Sequence, residues 1–220
     1  MRKIYGIGTG PGAADLLTIR AANVIKEAAV IFAPNNKGLN MALDTAKEYI
    51  GDKRVVLIDF PMGDVTSEDY KKAAEIIFNE IPDGEFGVFL TIGDSMIYST
   101  FIYIMNELQK KKIEIEVVPG IPSFIAAACA SKEPLTVKGD TFLLCDDFND
   151  QLIGKVSSVA VLKTFKEKEL LLNSFEERGY SYTYIKRASL DNQEILKNKE
   201  DILKDKDYIS LIIGRKQGDE

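Results

Sequence analysis

Strand-like and helix-like patterns alternate along residues 1–130, and this alternation restricts the fold more than any other feature of the sequence. Short apolar runs such as Val88–Ile92 end at glycine or proline, and stretches with helical spacing of apolar residues separate them. Such alternation is typical of an α/β domain with a largely parallel sheet. The predicted strands are Lys3–Gly8, Ala29–Ala33, Arg54–Phe60, Val88–Ile92 and Ile113–Val118, and the predicted helices are Leu16–Glu27, Met41–Tyr49, Ser67–Asn79, Met96–Lys111 and Ser123–Ala130.

The second half of the chain is smaller and its strand directions are left open by the pattern. The polar, turn-rich segment SKEPLTVKGD at 131–140 is interpreted as the connection between two domains, residues 1–131 and residues 132–220. A chain of 220 residues is long enough to bury two cores. Beyond the connection we predict strands at Thr141–Cys145, Val156–Lys163, Tyr180–Arg187 and Tyr208–Ile213, with a helix at Lys166–Arg178.

The composition excludes several classes of function. The chain contains no histidine, which removes the commonest metal ligand and the commonest general base. The two cysteines, Cys129 and Cys145, lack CxxC spacing, and we interpret them as buried apolar side chains without a disulfide. We therefore expect no metal site built by the protein. The net charge of −6 opposes binding to nucleic acid.

No segment approaches the length of uninterrupted apolar sequence that a membrane helix requires, which is about 18 residues. The N-terminal sequence MRKIYGIGTGPG lacks the apolar core and the cleavage site of a signal peptide, and it is typical of a strand that enters a loop. We therefore expect a cytoplasmic protein that does not bind membranes.

Three glycine-containing turns follow predicted strands, and their strands belong to the same parallel sheet. They are Gly8–Gly12, Gly93–Ser95 and Pro119–Ser123. In open α/β sheets, ligands bind in the crevice outside the carboxyl ends of the strands. Glycine lets the backbone approach a ligand closely, and exposed N–H groups become donors. The three turns together therefore predict a ligand site at one edge of the sheet.

Two simpler interpretations of these turns remain open. Each turn, taken singly, can be an ordinary strand-to-helix connection, with Asp94 or Ser95 as the N-cap of the following helix. Gly8–Gly12 also resembles part of a dinucleotide-binding fingerprint. However, Pro11 removes a backbone donor, and the next strand, in AVIFAPNNKG, offers no acidic residue for a ribose. A nicotinamide-dependent dehydrogenase is therefore disfavoured.

The same residues carry a family resemblance. The segments GIGTGPGAADLLTIRA (6–21), TIGDSMIYST (91–100) and EVVPGIPSFIAAA (116–128) resemble the tetrapyrrole methylases, S-adenosylmethionine-dependent enzymes of cobalamin and sirohaem synthesis. The pattern Gly-Asp-x-Met-x-Tyr-Ser-Thr most resembles the branch that methylates the C20 meso carbon of precorrin-2 or cobalt-factor II. The second half is matched by the shorter segments VAVLKT (159–164), IKRASLDNQEI (185–195) and YISLIIG (208–214).

The resemblance implies two α/β domains with an active-site trough between them and, usually, a homodimer. It also implies that S-adenosylmethionine binds in the cleft between domains, largely through backbone groups. Carried over by position, the cofactor contacts would be Gly93, Asp94, Ser95, Met96, Ser99, Thr100, Phe124, Leu144, Lys186 and Ala188. Contacts with the tetrapyrrole substrate would come from Pro11, Arg20, Lys163 and Arg187, the last three as partners for its carboxylates.

The sequence departs from the family pattern at two positions. Ser95 stands where the family commonly has proline, which frees an N–H group in the turn. Ala13 stands where an acidic residue is common after Gly-Pro-Gly, so no acid or base can act from that position. Neither change removes the predicted backbone site.

The chemistry implied by the resemblance is compatible with a chain that lacks histidine. Methyl transfer from a sulfonium to a nucleophilic carbon depends on alignment rather than on a strong base. A Ser-His-Asp hydrolase is excluded. Asp94 would place a negative charge near the cationic cofactor, and the residue that takes the proton stays unassigned. The sequence thus predicts a C20 methyltransferase, with methylation at another ring position or a non-catalytic nucleotide-binding module as alternatives.

Overall fold

The computed structural model describes residues 1–35, 40–61, 65–147, 150–164 and 167–216. The chain divides into two compact units, Met1–Pro122 and Ser123–Glu220. The predicted boundary at residue 131 lies at the other end of the helix Ser123–Ser131, which the structure groups with the second unit. Both units are mixed α/β structures, as the alternating pattern predicted.

The elements of the first unit follow the predicted order closely. Its sheet strands are β1 (Lys3–Gly8), β2 (Val30–Pro34), β3 (Arg54–Ile58), β4 (Phe86–Thr91) and β5 (Glu114–Val118). Its helices are α1 (Ile19–Glu27), α2 (Met41–Ile50), α3 (Ser67–Glu80) and α4 (Thr100–Gln109), with a short 3-10 turn at Ala14–Leu16.

The first sheet is parallel throughout, which confirms the prediction. Its strand order is β3-β2-β4-β1-β5, and β1 lies between β4 and β5 with Tyr5 opposite Val88 and Glu116. Because every strand runs the same way, the loops that follow β4, β1 and β5 all leave from one edge of the sheet. We call this edge the carboxyl edge.

Apolar side chains cover both faces of this sheet, as expected for parallel strands with a helix layer on each side. On one face Phe32 and Phe89 are fully buried, and they pack with Phe101 of α4 and with apolar residues of α3. On the other face Ile31 and Leu90 pack with α1 and α2. The double covering holds the ends of the strands in fixed positions and so supports the loops at the carboxyl edge.

Threonine N-caps set where two helices of this unit begin. Helix α1 starts at Ile19 rather than Leu16, because the Thr18 side chain accepts the Ala21 N–H and caps the helix there. Helix α3 begins at Ser67, as predicted, and its N-cap is Thr66. The Thr66 side chain and Asp69 form a reciprocal capping box.

The second unit contains a mixed sheet whose directions the sequence pattern left open. The elements of this unit are α5 (Ser123–Ser131), β6 (Phe142–Cys145), α6 (Asp150–Ile153), β7 (Ser158–Leu162), α7 (Lys168–Glu177), β8 (Tyr180–Lys186), β9 (Glu194–Leu196), α8 (Lys199–Lys204) and β10 (Ser210–Lys216). The strand order is β6-β7-β10-β8-β9, with β6 and β7 parallel and the other pairs antiparallel. The predicted helix from Lys166 starts at Lys168, and Lys166 lies outside the described residues.

Three short elements of this unit, α6, β9 and α8, were not predicted. Each has six residues or fewer, which is too short for a periodic apolar pattern to stand out. The two cysteines are both free thiols, but Cys129 is exposed rather than buried, because α5 turns Phe124 and Ala127 inward instead. Cys145 is half-buried, and its burial raises the pKa of the thiol to about 11.

Candidate functional site

The three glycine turns meet at the carboxyl edge of the first sheet. Gly10 and Gly93 exchange backbone hydrogen bonds, with Gly10 N to Gly93 O at 3.1 Å and Gly93 N to Gly10 O at 2.7 Å. Thr9 ties the first turn to the end of β4, since its N–H and its hydroxyl both donate to Thr91 O, at 2.8 and 3.1 Å. The first and second turns are thus joined through their backbones.

The first and third turns approach each other so closely that only glycine fits. A Cβ atom on Gly8 would lie 2.5 Å from Gly120 N, and a Cβ atom on Gly120 would lie 2.6 Å from Gly8 C. Gly93 O would be closer still to the Gly120 Cβ. The sequence predicted glycine here for close approach to a ligand. In the structure, Gly8 and Gly120 serve first the close approach of one loop to another.

Asp94 connects the second turn to the third through its side chain. Its Oδ1 accepts the Met96 N–H at 2.8 Å, and its Oδ2 accepts the Gly120 N–H at 3.0 Å. One of the two simpler interpretations made Asp94 or Ser95 the N-cap of the following helix; this is wrong, because α4 begins at Thr100 and is capped by Ser99. Both carboxylate oxygens accept hydrogen bonds from loop backbone, so Asp94 fixes the conformation of the loops at the carboxyl edge. This structural role does not depend on any electrostatic effect of the carboxylate on a ligand.

Helix α4 begins later than predicted, at Thr100 instead of Met96. Ser95–Tyr98 forms an irregular turn in which Tyr98 has a φ of 44°, and a residue with a positive φ cannot belong to an α-helix. Ser99 is the N-cap, and its Oγ accepts the Phe101 N–H at 3.1 Å. The delayed start leaves Ser95 and Met96 in the loop at the carboxyl edge.

Buried oxygens without a hydrogen-bond partner mark the same edge. Among the described residues, three buried side-chain oxygens lack a partner: Asn40 Oδ1, Thr91 Oγ1 and Ser95 Oγ. Thr91 ends β4, Ser95 lies in the turn that follows it, and Asn40 directly precedes α2. A buried polar atom without a partner is unfavourable by about 1–3 kcal/mol, so native proteins rarely contain one without a reason. Their shared position points to a polar ligand at the carboxyl edge.

Of these three residues, sequence reasoning predicted only Ser95. Thr91 lies within the predicted strand Val88–Ile92, and Asn40 stands just before the predicted helix Met41–Tyr49. A threonine at the last position of a strand that ends at a ligand-binding edge is the signal that could have identified Thr91.

We predict opposite effects of Ser95→Ala on stability and on binding. Ser95 is fully buried, so removal of its unpartnered hydroxyl should leave the free energy of unfolding unchanged or raise it by about 1 kcal/mol. The same change should weaken binding of a ligand that uses the hydroxyl. Urea unfolding followed by circular dichroism and titration calorimetry with S-adenosylmethionine measure the two effects.

Ser99→Ala is the matched control for this prediction. Its hydroxyl caps α4, so its loss should lower the free energy of unfolding by about 1 kcal/mol. If Ser95→Ala destabilised the protein as Ser99→Ala does, the Ser95 hydroxyl would have a structural partner and the interpretation would be wrong.

The two substrate candidates of the first unit occupy different environments. Pro11 is buried in the first turn. The Arg20 side chain is exposed, and its guanidinium forms an ion pair with Glu116 on β5. Arg20 can bind a carboxylate of a ligand only by sharing or exchanging this partner.

In the second unit, five predicted residues meet at one end of the sheet. Lys163 follows β7, and Arg187 and Ala188 follow β8; their neighbours Leu162 and Lys186 pair with the start of β10. Leu144 is the last residue but one of β6, and the following residue, Cys145, pairs with Val161 near the end of β7. We call this end the Lys163 end.

Phe124 lies in the same unit, 8% exposed, with its ring 5.8 Å from that of Phe142.

The backbone is strained at the Lys163 end. Lys163, Arg187 and Ser189 have φ values of 55°, 52° and 72°, a conformation that costs a residue with a side chain about 1 kcal/mol. The Lys163 N–H donates to Ser210 O at 3.0 Å, and the Arg187 N–H donates to Ile209 O at 2.9 Å. Strained residues of this kind concentrate at functional sites.

The cations at this end differ in whether a carboxylate already neutralises them. Lys186 Nζ lies 2.7 Å from Asp205 and 3.1 Å from Glu194, and these bonds raise the pKa of Lys186. Arg187 Nε lies 2.6 Å from Asp207. Lys163 is exposed and has no ion pair within the described ranges. Lys163 is therefore the predicted cation most available to a negatively charged ligand.

We predict that Asp205 makes the second unit sensitive to acid. Burial acts to raise the pKa of Asp205, but hydrogen bonds from Lys186, Tyr184 and the Asp207 N–H outweigh it and lower the pKa to about 2, from 3.8. A carboxylate whose pKa is lower in the folded than in the unfolded protein stabilises the fold above the unfolded pKa of 3.8. This stabilisation disappears as the pH falls toward 2. The loss should be about 2 kcal/mol.

Urea unfolding at a series of pH values tests this prediction. Asp205→Asn should be less stable than the original protein at neutral pH and should lose most of the pH dependence between pH 4 and 2. Asp191→Asn, which changes an exposed carboxylate, should behave like the original protein. An Asp205→Asn variant that kept the full acid dependence would contradict the assignment.

The amino-acid sequence matches one protein family. The sequence profile described as Tetrapyrrole (Corrin/Porphyrin) Methylases matches residues 3–203. The chain therefore belongs to the tetrapyrrole methylases, and enzymes of this family use S-adenosylmethionine.

Curated relatives include C20 methyltransferases. The chain is 30% identical over 223 aligned positions to a probable cobalt-precorrin-2 C(20)-methyltransferase of Methanocaldococcus jannaschii, covering 97% of this chain and 96% of that protein. It is 33% identical over 142 positions to the cobalt-precorrin-2 C(20)-methyltransferase of Salmonella typhimurium, covering 62% of this chain and 60% of that protein. Other relatives act elsewhere on the ring, including a precorrin-4 C(11)-methyltransferase of Mycobacterium tuberculosis.

Solved structures share the fold. A cobalt precorrin-4 methyltransferase superposes with a TM-score of 0.78 at 19% identity, covering 97% of this chain and 94% of that chain. A uroporphyrin-III C-methyltransferase from Thermus thermophilus, in complex with S-adenosyl homocysteine, superposes with a TM-score of 0.72 at 19% identity, covering 97% of both chains. The two-domain α/β fold of tetrapyrrole methyltransferases is thereby confirmed for this chain.

Two kinds of feature are absent from the described part of the chain. None of its helices combines the length and the apolar composition needed to cross a lipid bilayer. No group of three or more Cys, Asp or Glu side chains is placed to hold a metal ion there.

Proposed function

We propose that the protein is an S-adenosylmethionine-dependent C-methyltransferase of cobalamin biosynthesis that methylates the C20 meso carbon of cobalt-factor II or precorrin-2. The observation that carries the proposal is the similarity to the C20 methyltransferase of M. jannaschii, which extends over 97% of this chain. The signature Tyr98-Ser99-Thr100, at the start of α4, favours the same branch. In sequence, the C11 enzyme is matched over 62% of this chain, and so is the C20 enzyme of S. typhimurium, so coverage supports the C20 position only through the M. jannaschii enzyme.

The carboxyl edge of the first sheet fits the amino-acid end of the methyl donor. Ser95 Oγ and Thr91 Oγ1 can each donate or accept a hydrogen bond, and Asn40 Oδ1 can accept one from an ammonium group. The backbone of Gly93, Asp94 and Met96 is held in one arrangement by the Asp94 carboxylate. In this proposal Ser99 and Thr100 contact the donor from the start of α4, and Phe124, Leu144, Lys186 and Ala188 contact it from the second unit.

S-adenosylmethionine supplies an activated methyl group on a sulfonium. The residues of the chain hold donor and acceptor in line, and such orientation can lower a barrier by about 7–11 kcal/mol at best. The fixed loops at the carboxyl edge are suited to this task because their joined backbones leave little room for movement. No side chain is assigned to take the C20 proton, which can pass to water or to a carboxylate.

Cations of the chain would hold the carboxylates of the tetrapyrrole. Lys163 is available without displacement of a partner, whereas Arg20 and Arg187 would exchange Glu116 and Asp207 for carboxylates of the substrate. Pro11 would line the substrate space from the first turn. Exchange between two carboxylates costs little electrostatic energy, so the paired arginines remain suitable partners.

A methyl-transfer assay tests the proposal. The purified protein is incubated with S-adenosylmethionine labelled in its methyl group and, in separate reactions, with cobalt-factor II, precorrin-2 and uroporphyrinogen III. Nuclear magnetic resonance then locates the new methyl group. Transfer to C20 is the expected result, and transfer to any other carbon would contradict the assignment of the ring position. Binding of the donor without transfer to any of the three would favour the nucleotide-binding module.

A further inference from the structure

The proposed reaction releases a proton that needs an acceptor. Attack of C20 on the methyl group forms a carbon–carbon bond and breaks the carbon–sulfur bond, whose electron pair goes to sulfur. C20 then carries the new methyl group and its original hydrogen, and the ring carries the positive charge. Loss of the proton returns the C–H electron pair to the ring. Because the chain contains no histidine, a carboxylate is the side chain best suited to accept this proton.

The described residues of the loops that leave the carboxyl edge carry three carboxylates. They are Asp15 after β1, Asp59 after β3 and Asp94 after β4. Both oxygens of Asp94 accept backbone N–H groups, and a proton on either oxygen would replace one of these bonds. Asp59 Oδ1 accepts the side-chain N–H of Asn35 at 2.6 Å, and β3 is three strand spacings from β1, roughly 14 Å. Of the three, Asp15 is the one that remains.

The carboxylate of Asp15 is not engaged by another group of the described chain. Asp15 is exposed, and no hydrogen bond or ion pair joins its side chain to another residue that the structure describes. Arg20, the next cation along the chain, pairs with Glu116 on β5 instead. A carboxylate with free lone pairs and no cation beside it is in the state that a general base requires.

The loop that carries Asp15 returns to the glycine pair of the carboxyl edge. Gly10 exchanges backbone hydrogen bonds with Gly93, and a Cβ atom on Gly10 would lie 3.0 Å from Leu16 O. Asp15 directly precedes Leu16, so their Cα atoms are about 3.8 Å apart. A Cβ atom on Gly93 would meet no atom within 4 Å, so there is open space beside this glycine. Asp15 therefore lies next to the turn that the proposed function assigns to the methyl donor.

Hydrogen bonds on both sides fix the backbone around Asp15. The residue belongs to the 3-10 turn Ala14–Leu16. Before this turn, the Thr45 hydroxyl of α2 donates to Gly12 O at 3.1 Å. After it, the Thr18 side chain caps α1. A catalytic group on a fixed backbone keeps its position relative to the bound reactants, which favours proton transfer.

We propose that Asp15 is the general base that accepts the C20 proton after methyl transfer, an inference that rests on the proposed function. Asp15 is the one acidic side chain of its loop, since position 13 is occupied by Ala13. The cationic ring releases the proton readily, so a carboxylate is a strong enough base. Because Asp15 is exposed, the proton then passes to water and the carboxylate is restored for the next turnover.

Substitutions at Asp15 test the proposal in the assay that locates the new methyl group. Asp15→Asn and Asp15→Ala should lower the rate of C20 methylation at saturating substrate by about 10²-fold, whereas Asp15→Glu should lower it by less than about tenfold. Asp52→Asn changes an exposed carboxylate on the loop before β3, at the opposite edge of the sheet, and should keep the full rate. The affinity for S-adenosylmethionine, measured by calorimetry, should be the same in all these variants.

Two further measurements distinguish proton transfer from a structural role of Asp15. Sodium formate should restore part of the rate of Asp15→Ala by supplying a carboxylate, and sodium chloride at the same ionic strength should not. Deuterium at C20 should slow Asp15→Asn more than the original protein, because proton loss becomes rate-limiting in the variant.

The outcomes separate this inference from the proposed function. An Asp15→Asn variant with the full rate would overturn the assignment of Asp15 and leave the proposed function intact. So would slow variants that formate does not rescue and deuterium does not slow further. An original protein that transfers no methyl group to C20 would instead overturn the proposed function, and the role of Asp15 with it.

Discussion

Gly120→Ala is expected to destroy the carboxyl edge of the first sheet. The new Cβ atom would lie 2.6 Å from Gly8 C and 2.7 Å from Gly8 O, closer than real Cβ contacts come. The loop backbone cannot move aside without the loss of hydrogen bonds. Gly93 is bonded to Gly10, and Thr9, which follows Gly8, is bonded to Thr91. We expect a loss of at least about 3 kcal/mol in the free energy of unfolding. We also expect no detectable binding of S-adenosylmethionine.

Urea unfolding and titration calorimetry measure these two effects. Gly84→Ala is the matched control, since Gly84 has a positive φ of 84° but no atom within 4 Å of a Cβ placed there. Gly84→Ala should lower the free energy of unfolding by only about 1–2 kcal/mol, through backbone strain, and should leave the binding of S-adenosylmethionine unchanged. If Gly120→Ala folded with the stability of the Gly84 variant and bound the donor, the close approach of the loops would not matter.

Asp94→Asn should loosen the second and third turns together. An amide of the same shape keeps one acceptor oxygen but turns its NH₂ group toward either the Met96 N–H or the Gly120 N–H. The carboxylate makes a charge-assisted bond to each of these groups, at 2.8 and 3.0 Å. A bond to a charged group is worth about 1.5–3 kcal/mol, so the variant should lose about 3 kcal/mol of stability. Donor affinity should fall by at least about tenfold.

A comparison of two ligands separates the structural from the electrostatic role of Asp94. S-adenosylmethionine carries a sulfonium, whereas S-adenosyl homocysteine has a neutral sulfur. If Asp94 acts by fixing the loops, Asp94→Asn should weaken both ligands by the same factor. A loss confined to the sulfonium would show instead that charge attraction dominates. Asp83→Asn, at a carboxylate that is 87% exposed, is the control and should change neither affinity.

The first unit was largely predictable from its sequence. Its strands are short apolar runs that alternate with helices, and such a pattern is compatible with few arrangements besides a parallel sheet. Because parallel strands end at one edge, the meeting of Gly10, Gly93 and Gly120 followed from the fold class. The resemblance to the tetrapyrrole methylases depended on the same turns, and the family match confirmed it.

The parts that the sequence did not reveal depend on contacts between distant residues. The apolar patterns of β7, β8 and β10 do not specify direction, since parallel and antiparallel strands bury similar side chains. The Asp94 side chain accepts the N–H of Gly120, 26 residues away, and no local pattern encodes that choice. The start of α4 was misplaced because apolar spacing from Met96 onward resembles a helix, while Tyr98 adopts a left-handed backbone.

The glycine contacts also limit how this site can change during evolution or in a mutant library. Where two loops touch through backbone atoms alone, no substitution can adjust the contact by degrees, so Gly8 and Gly120 should tolerate almost no replacement. Variation in ligand preference must then come from neighbouring side chains such as Ser95, Met96 and Tyr98. A deep mutational scan should accordingly show a sharp boundary, with invariant glycines directly beside positions that accept many residues.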